Sequence, residues 1–229
     1  MKLRILGSAG AEFPDFRPPA FLIDESLLLD AGTIGSVLSE EEQWNIRTIF
    51  ITHAHLDHIR GIPALADNII VKNLQHSVDV FAPPEVIDAM QVHLFNGVIW
   101  PDFTRLPSSE SPVLRFHSLQ PATPVQLELN GTPENYRLTA VPVHHTVPAV
   151  GYCVEHAGRR LVYTGDTGPT DAIWPHASGA DALIVEVSFP NNQESLALLT
   201  QHLCCSLLEK ELTKIKELPK RILITHPKP

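Results

Sequence analysis

In the stretch THAHLDH, His53, His55, Asp57 and His58 place four metal-ligand side chains within six positions. Neutral imidazole and carboxylate are ordinary ligands for zinc and related divalent ions. A set without thiolate suits a catalytic site that keeps one position open to water. The cluster follows TIFIT, an apolar, β-branched run that reads as a buried strand. In an extended segment residues i and i+2 share a side, so His53 and His55 point together before Asp57 and His58 turn into a helix. One catalytic ion needs about three protein ligands and two ions need more, so other strand ends should supply the rest. VPVHHTVPAVGY puts His144 and His145 just after a strand, VYTGDT puts Asp166 after another, and RILITHPKP puts His226 after the last. Any one of these alone fits a residue capping a strand or the next helix. Together with HAHLDH they make four strand ends that close on His or Asp, which predicts one convergent metal site.

The elements that must position these residues are legible from pattern. LRILGS reads as a strand, and AFLID with SLLLDAG as a hairpin turning at Glu25 and Ser26. A short helix is expected over roughly 33–42. DHIRGIPALADNI reads as loop and helix, VDVFAPP as a strand, and PEVIDAMQVHLFN as a helix with Pro84 near its start. Residues 97–135 are irregular and proline-rich, with short strands in VLRFHSL and VQLEL. YRLTAVPV is a strand, VGYCVEHAGRRLVYTGD a hairpin turning near Gly158, ALIVEVS a strand and RILITH the last one. A helix over ~170–177 precedes ALIVEVS, and a long helix is expected from about Glu194 to Leu212. On it Leu196, Leu199, Leu203 and Leu207 would form one stripe, with His202 about 60° to its flank. No repeat, low-complexity tract or linker interrupts the chain. The expectation is one α/β domain over 1–229, two mixed sheets packed on each other with helices on the outer faces.

Composition narrows the function classes. The chain has 229 residues, 44% of them apolar, and a net charge of −9. No apolar run approaches the ~20 residues of a membrane span, and MKLRILGSAGAEF lacks the apolar core of a secretory signal. Neither a membrane nor an export route is expected. Cys153, Cys204 and Cys205 are an odd count with no CxxC, which fits a reducing cytoplasm. Cys204 and Cys205 read as small core residues. An acidic chain without a basic stripe does not favour a nucleic-acid partner, although bound cations would still create a local positive site.

The ligand order HxHxDH, later His, later Asp, last His resembles the metallo-β-lactamase fold. HLFNGVIWPDFT, HTVPAVGY, VEVSFPN and ITHPKP are similar to stretches of the class II cyclic-nucleotide phosphodiesterases, relatives of the tRNA 3′-processing endonucleases. The resemblance implies an αββα sandwich with two divalent metal ions, zinc first and manganese or iron as alternatives. It implies that His53, His55 and His145 hold one ion, Asp57, His58 and His226 the other, and that Asp166 bridges them. Within that family pattern the ligand histidine stands six residues before Gly151, which selects His145 over His144. The implied activity is hydrolysis of 3′,5′-cyclic nucleotides (cyclic AMP, cyclic GMP) to nucleoside 5′-monophosphates. Asp57 and Asp166 would serve catalysis at the metals. Glu186 and His202 match the Glu and His that cooperate near the scissile phosphate in the tRNA nucleases, and would act on the leaving oxygen. The implied partner is a small cyclic nucleotide. The aromatic-rich segment Phe95–Phe103 would wall its base, form a homodimer contact or pack as a cap.

Two alternatives remain: a tRNA 3′-endonuclease, and a non-catalytic metal- or nucleotide-binding module. Cys204-Cys205 departs from the Thr-Pro-like continuation that follows the His-Leu of the relatives. Only three residues follow His226 where relatives usually continue, which predicts a last ligand on a fraying end. GSAG (7–10) reads as a turn without a phosphate-loop pattern. Asp30 reads as a structural or ligand-supporting acid, and His76, His93, His117, His156 and His176 as structural or surface residues.

Overall fold

The apolar runs of the first half assemble into a six-stranded sheet of β1 (Leu3–Gly7), β2 (Ala20–Ile23), β3 (Leu27–Leu29), β4 (Thr48–Phe50), β5 (Val78–Ala82) and β8 (Leu114–Ser118), in that spatial order. β1, β2 and β3 are antiparallel, and β3, β4, β5 and β8 run parallel. The hairpin between β2 and β3 turns through Asp24 and Glu25, both with positive φ. Parallel strands need crossovers, and helices provide them. α1 spans Glu40–Trp44, α2 Leu56–Ile59, α3 Gly61–Val71 and α4 Pro84–His93. On α3 the fully buried Ile62, Leu65, Ala66 and Ile69 follow helical spacing and pack with Leu28, Ile49 and Val80 of the sheet. β6 (Pro107–Ser108) and β7 (Ser111–Pro112) form a small ribbon.

This is a computed structural model that describes residues 1–74, 76–129 and 135–228. It divides into two compact units, one of Lys2–Ser8 and Glu12–Leu119 and the other of Met1, Ala9–Ala11 and Gln120–Pro229. The second unit carries its own six-stranded sheet: β14 (Ile222–Thr225), β13 (Ala182–Glu186), β12 (Arg159–Tyr163), β11 (Val150–His156), β10 (Tyr136–Pro142) and β9 (Val125–Leu127). Here β9 to β12 are antiparallel and β12, β13 and β14 parallel. Ala157 and Gly158, both with positive φ, make the tight turn between β11 and β12. Trp174, Ala177, Leu203, Leu207 and Leu208 bury against Val162, Leu183 and Val185.

Two helix expectations need correction. The helix expected over 33–42 begins only at Glu40, because Ser39 and Glu42 form a reciprocal capping box that sets its start. The long helix expected from Glu194 to Leu212 is two helices, α6 (Glu194–Leu199) and α7 (Cys205–Leu212); α5 (Trp174–Ala177) precedes them. α6 ends where Gln201 adopts φ +53° and the His202 N–H reaches back to the Ala197 carbonyl at 2.8 Å. This is a Schellman-type end without the usual glycine. His202 therefore sits in the break and not on a helix flank. The leucine stripe dissolves with it, since Leu199 is 77% exposed and Leu203 fully buried. Phe95 and Phe103 are core residues of the first unit, as the packed-cap alternative requires.

Candidate metal centre

In the first unit β3 and β4 are parallel neighbours, so their C-terminal ends open on the same edge. That is where an open parallel sheet presents its functional residues. Asp30 follows β3 with φ +55°, and Thr52 and His53 follow β4. The buried Asp30 carboxylate accepts from the Thr52 N–H at 2.8 Å, the Thr52 hydroxyl at 2.9 Å and His58 Nδ1 at 2.7 Å. Having donated to Asp30, Thr52 Oγ1 is an acceptor for His53 Nδ1 at 3.0 Å. Both histidines thus carry their proton on Nδ1 and turn Nε2 to the opposite side of the ring. His53 Nε2 lies 3.0 Å from His55 Nδ1 and His58 Nε2 lies 3.6 Å from Asp57 Oδ2. The His53 and His58 rings are 4.1 Å apart. All four members of HAHLDH therefore gather in one cluster.

In the second unit the parallel strands β12, β13 and β14 deliver Asp166, Glu186 with Ser188, and His226 to one edge. His226 Nε2 lies 3.1 Å from Asp166 Oδ2, and its Nδ1 donates to Ser188 Oγ at 2.8 Å. The Ser188 hydroxyl in turn donates to Glu186 Oε2 at 3.0 Å. Glu186 is fully buried and also accepts from the Thr167 N–H (3.1 Å), the Leu203 N–H (3.3 Å) and His202 Nδ1 (2.7 Å). Burial first, and then the Asp166 charge, push the Glu186 carboxyl upward, while the Thr167 and Leu203 N–H groups pull the other way. His145, Asp166 and His202 offer ligand atoms within 4.8 Å of one another. His145 is buried and gives Nδ1 to the Gln201 carbonyl at 3.0 Å, while its neighbour His144 is exposed. Each site residue expected in this unit (His145, Asp166, Glu186, His202, His226) is in this cluster.

The donor set fits a metal. With Nδ1–H on Ser188, His226 Nε2 is an acceptor facing the Asp166 carboxylate. His58 Nε2 faces Asp57 in the same way. In each pair an imidazole acceptor faces a carboxylate, an arrangement that calls for a cation, and imidazole and carboxylate are the donors that zinc, manganese and iron take.

Sequence reasoning missed several supporting residues. Thr52 and Ser188 each fix a histidine ring; Asp30, read from the sequence as a structural or ligand-supporting acid, does hold His58. Gly10, in a stretch that reads as a plain turn, is pressed against the last histidine: a Cβ there would stand 2.4 Å from His226 Nδ1. The Gly10 N–H bonds to the Pro227 carbonyl at 3.1 Å and the Lys228 N–H to the Ser188 carbonyl at 3.0 Å. His226 is thus pinned and 1% exposed, contrary to the fraying end expected from sequence. Cys204 is buried as expected, but Cys205 is exposed. The only available signal for these supports was adjacency to strand ends.

A family profile described as "Beta-lactamase superfamily domain" matches residues 28–226. A Yersinia pestis protein named "Probable 3′,5′-cyclic-nucleotide phosphodiesterase" is 29% identical over 189 residues, covering 76% of this chain and 52% of that protein. The chain therefore spans about half the length of that relative. A protein of Methanothermobacter thermautotrophicus named "Ribonuclease Z" is 22% identical over 231 residues, covering 79% of this chain and 69% of the other. Among solved structures, unliganded yeast PDE1 superposes with a TM-score of 0.81 at 18% identity, over 99% of this chain and 88% of that one. The likeness in structure shows the metallo-β-lactamase fold, with its mixed sheets and helices.

Proposed function

From a chain that belongs to the beta-lactamase superfamily, we infer a dinuclear metal-dependent phosphodiesterase that hydrolyses 3′,5′-cyclic nucleotides to nucleoside 5′-monophosphates. His53, His55 and His145 are proposed to hold one divalent ion, Asp57, His58 and His226 the other, with Asp166 shared. Two such ions, zinc in the first instance, would supply an activated water at neutral pH and neutralise charge on the phosphoryl oxygens. What this chain adds is a proton route. Glu186 fixes His202 through Nδ1 at 2.7 Å, so His202 acts through Nε2. With both nitrogens protonated, the ring gives its Nε2 proton to the departing 3′-oxygen, and Glu186 stabilises the doubly protonated ring.

The buried Glu186–His202 pair, set beside Asp166 and His226, is the observation that carries this reading. A hydrolase with a poor leaving group needs a positioned acid, and a simple metal-binding module does not. The name of the Yersinia relative supports the cyclic substrate. The name of the ribonuclease Z relative favours a second reading, endonucleolytic cleavage of RNA, which the net charge of −9 opposes.

The test is turnover of cyclic AMP and cyclic GMP with added zinc or manganese, against a chelated control and beside a pre-tRNA substrate. Cyclic-nucleotide turnover that the chelator abolishes is expected. Metal-loaded, folded protein that turns over neither cyclic nucleotide would sink this reading, and selective pre-tRNA cleavage would establish the other. His202→Ala is expected to lower kcat by about 10²–10⁴-fold with metal content unchanged.

A further inference from the structure

The cations of this acidic chain are mostly spoken for. Lys2, Lys72, Lys210, Lys214 and Lys220 each lie on a carboxylate. Lys228 does not: among the described residues no carboxylate lies within ion-pair distance of it. Its ammonium lies 3.2 Å from His202 Nε2 and 5.3 Å above the centre of the Phe189 ring. Its backbone is tied to the Ser188 carbonyl, and its side chain is half-buried. A partly covered ammonium without a carboxylate partner beside it is a ready contact for an incoming anion.

The hydrogen-bond directions around His202 sharpen this. Nδ1 gives its proton to Glu186, and an ammonium has only donors, so Nε2 accepts from Lys228. One N–H of Lys228 is used there, and its two others remain for further acceptors. We propose that Lys228 is a substrate-contacting residue that holds a phosphoryl oxygen of the phosphodiester, a role that rests on the phosphodiesterase reading above. An anionic oxygen is a stronger acceptor than an imidazole nitrogen. An arriving phosphodiester draws the ammonium off Nε2 onto itself and leaves that nitrogen able to take up a proton from solvent, the proton it then gives to the departing oxygen. The aromatic face of Phe189 and the backbone tie to Ser188 hold the ammonium within reach, which limits the entropy lost on binding.

The test uses metal-loaded protein and two probes that carry neither ribose nor base, so a failure of the cyclic-nucleotide reading does not decide it. Bis(p-nitrophenyl) phosphate reports KM and kcat, and inorganic phosphate reports affinity by calorimetry. Lys228→Ala is expected to raise KM and weaken phosphate binding by about ten- to hundredfold, the worth of a hydrogen bond to a charged group. kcat should stay within about threefold, as for loss of uniform binding. Lys228→Arg should recover most of the affinity. Phosphate affinity unchanged in Lys228→Ala would overturn the proposal. So would a loss of bound metal in that variant, since Lys228 would then act on His226 and not on the substrate.

Discussion

A ligand histidine is only as good as the group behind its other nitrogen. Ser188 stands behind His226 and Asp30 behind His58, both proposed ligands, at 2.8 and 2.7 Å. Ser188→Ala removes the acceptor of the His226 Nδ1 proton. It should lower affinity for the more weakly held metal by about 10–100-fold, measured by competition with a chromogenic chelator. Gly10→Ala acts on the same ring by contact, since the new methyl would meet both the imidazole and the backbone oxygen of His226, at 2.4 and 2.7 Å. Metal per chain should fall from two toward one by elemental analysis, with the fold retained by circular dichroism. The cysteines make a separate prediction at this scale. Cys205 should react with a maleimide in the native state, and Cys153 and Cys204 only after denaturation, as peptide mass mapping would reveal.

Among the elements, the break between α6 and α7 matters most, because it lowers His202 out of a helix and onto Glu186. It depends on Gln201 at φ +53°. Gln201→Val should destabilise the protein by about 1–2 kcal/mol, the cost of a left-handed conformation for a branched residue. It should also lower kcat, because the Gln201 carbonyl receives His145 and the next residue is His202. Gln201→Gly should be tolerated in both assays. Denaturant melts and steady-state kinetics on one preparation separate these outcomes. The two sheets share a logic at this scale. Each joins an antiparallel hairpin to parallel strands, and each places an aspartate after the hairpin, Asp30 after β3 and Asp166 after β12. No sequence repeat accompanies this shared order.

For the whole molecule, metal binding is folding free energy, because the unfolded chain has no assembled site. Zinc at about a hundred times its dissociation constant should add about 2.7 kcal/mol. At this chain length that raises the thermal midpoint by several degrees, and a chelator should reverse it. The pH response at the alkaline end follows from Cys153. Burial pushes its thiol from 9.0 to about 11. The folded state keeps the proton longer than the unfolded chain, so this contribution is complete below pH 9 and is lost as pH rises from there through about 11. Cys153→Ala should flatten that limb of a stability–pH curve. No helix among the described residues is long and apolar enough to cross a membrane.

The strands, the hairpin turns and the choice of His and Asp at strand ends were legible in the sequence, because periodicity and turn chemistry act over a few residues. So were His53, His55, Asp57, His58, Asp166 and His226 as ligand-type residues. The strand-end pattern by itself left His144 and His145 equivalent; the family resemblance, through the spacing to Gly151, implied His145, and the burial of His145 beside an exposed His144 agrees with that choice. The helix expected through His202 failed because its stop uses a glutamine where a glycine would have been readable. Asp30 on His58, Ser188 on His226, Gly10 under His226 and Lys228 on His202 are contacts between segments far apart in the chain. They exist because parallel strands in fixed register bring their ends to one edge, and the three-dimensional fold sets that register.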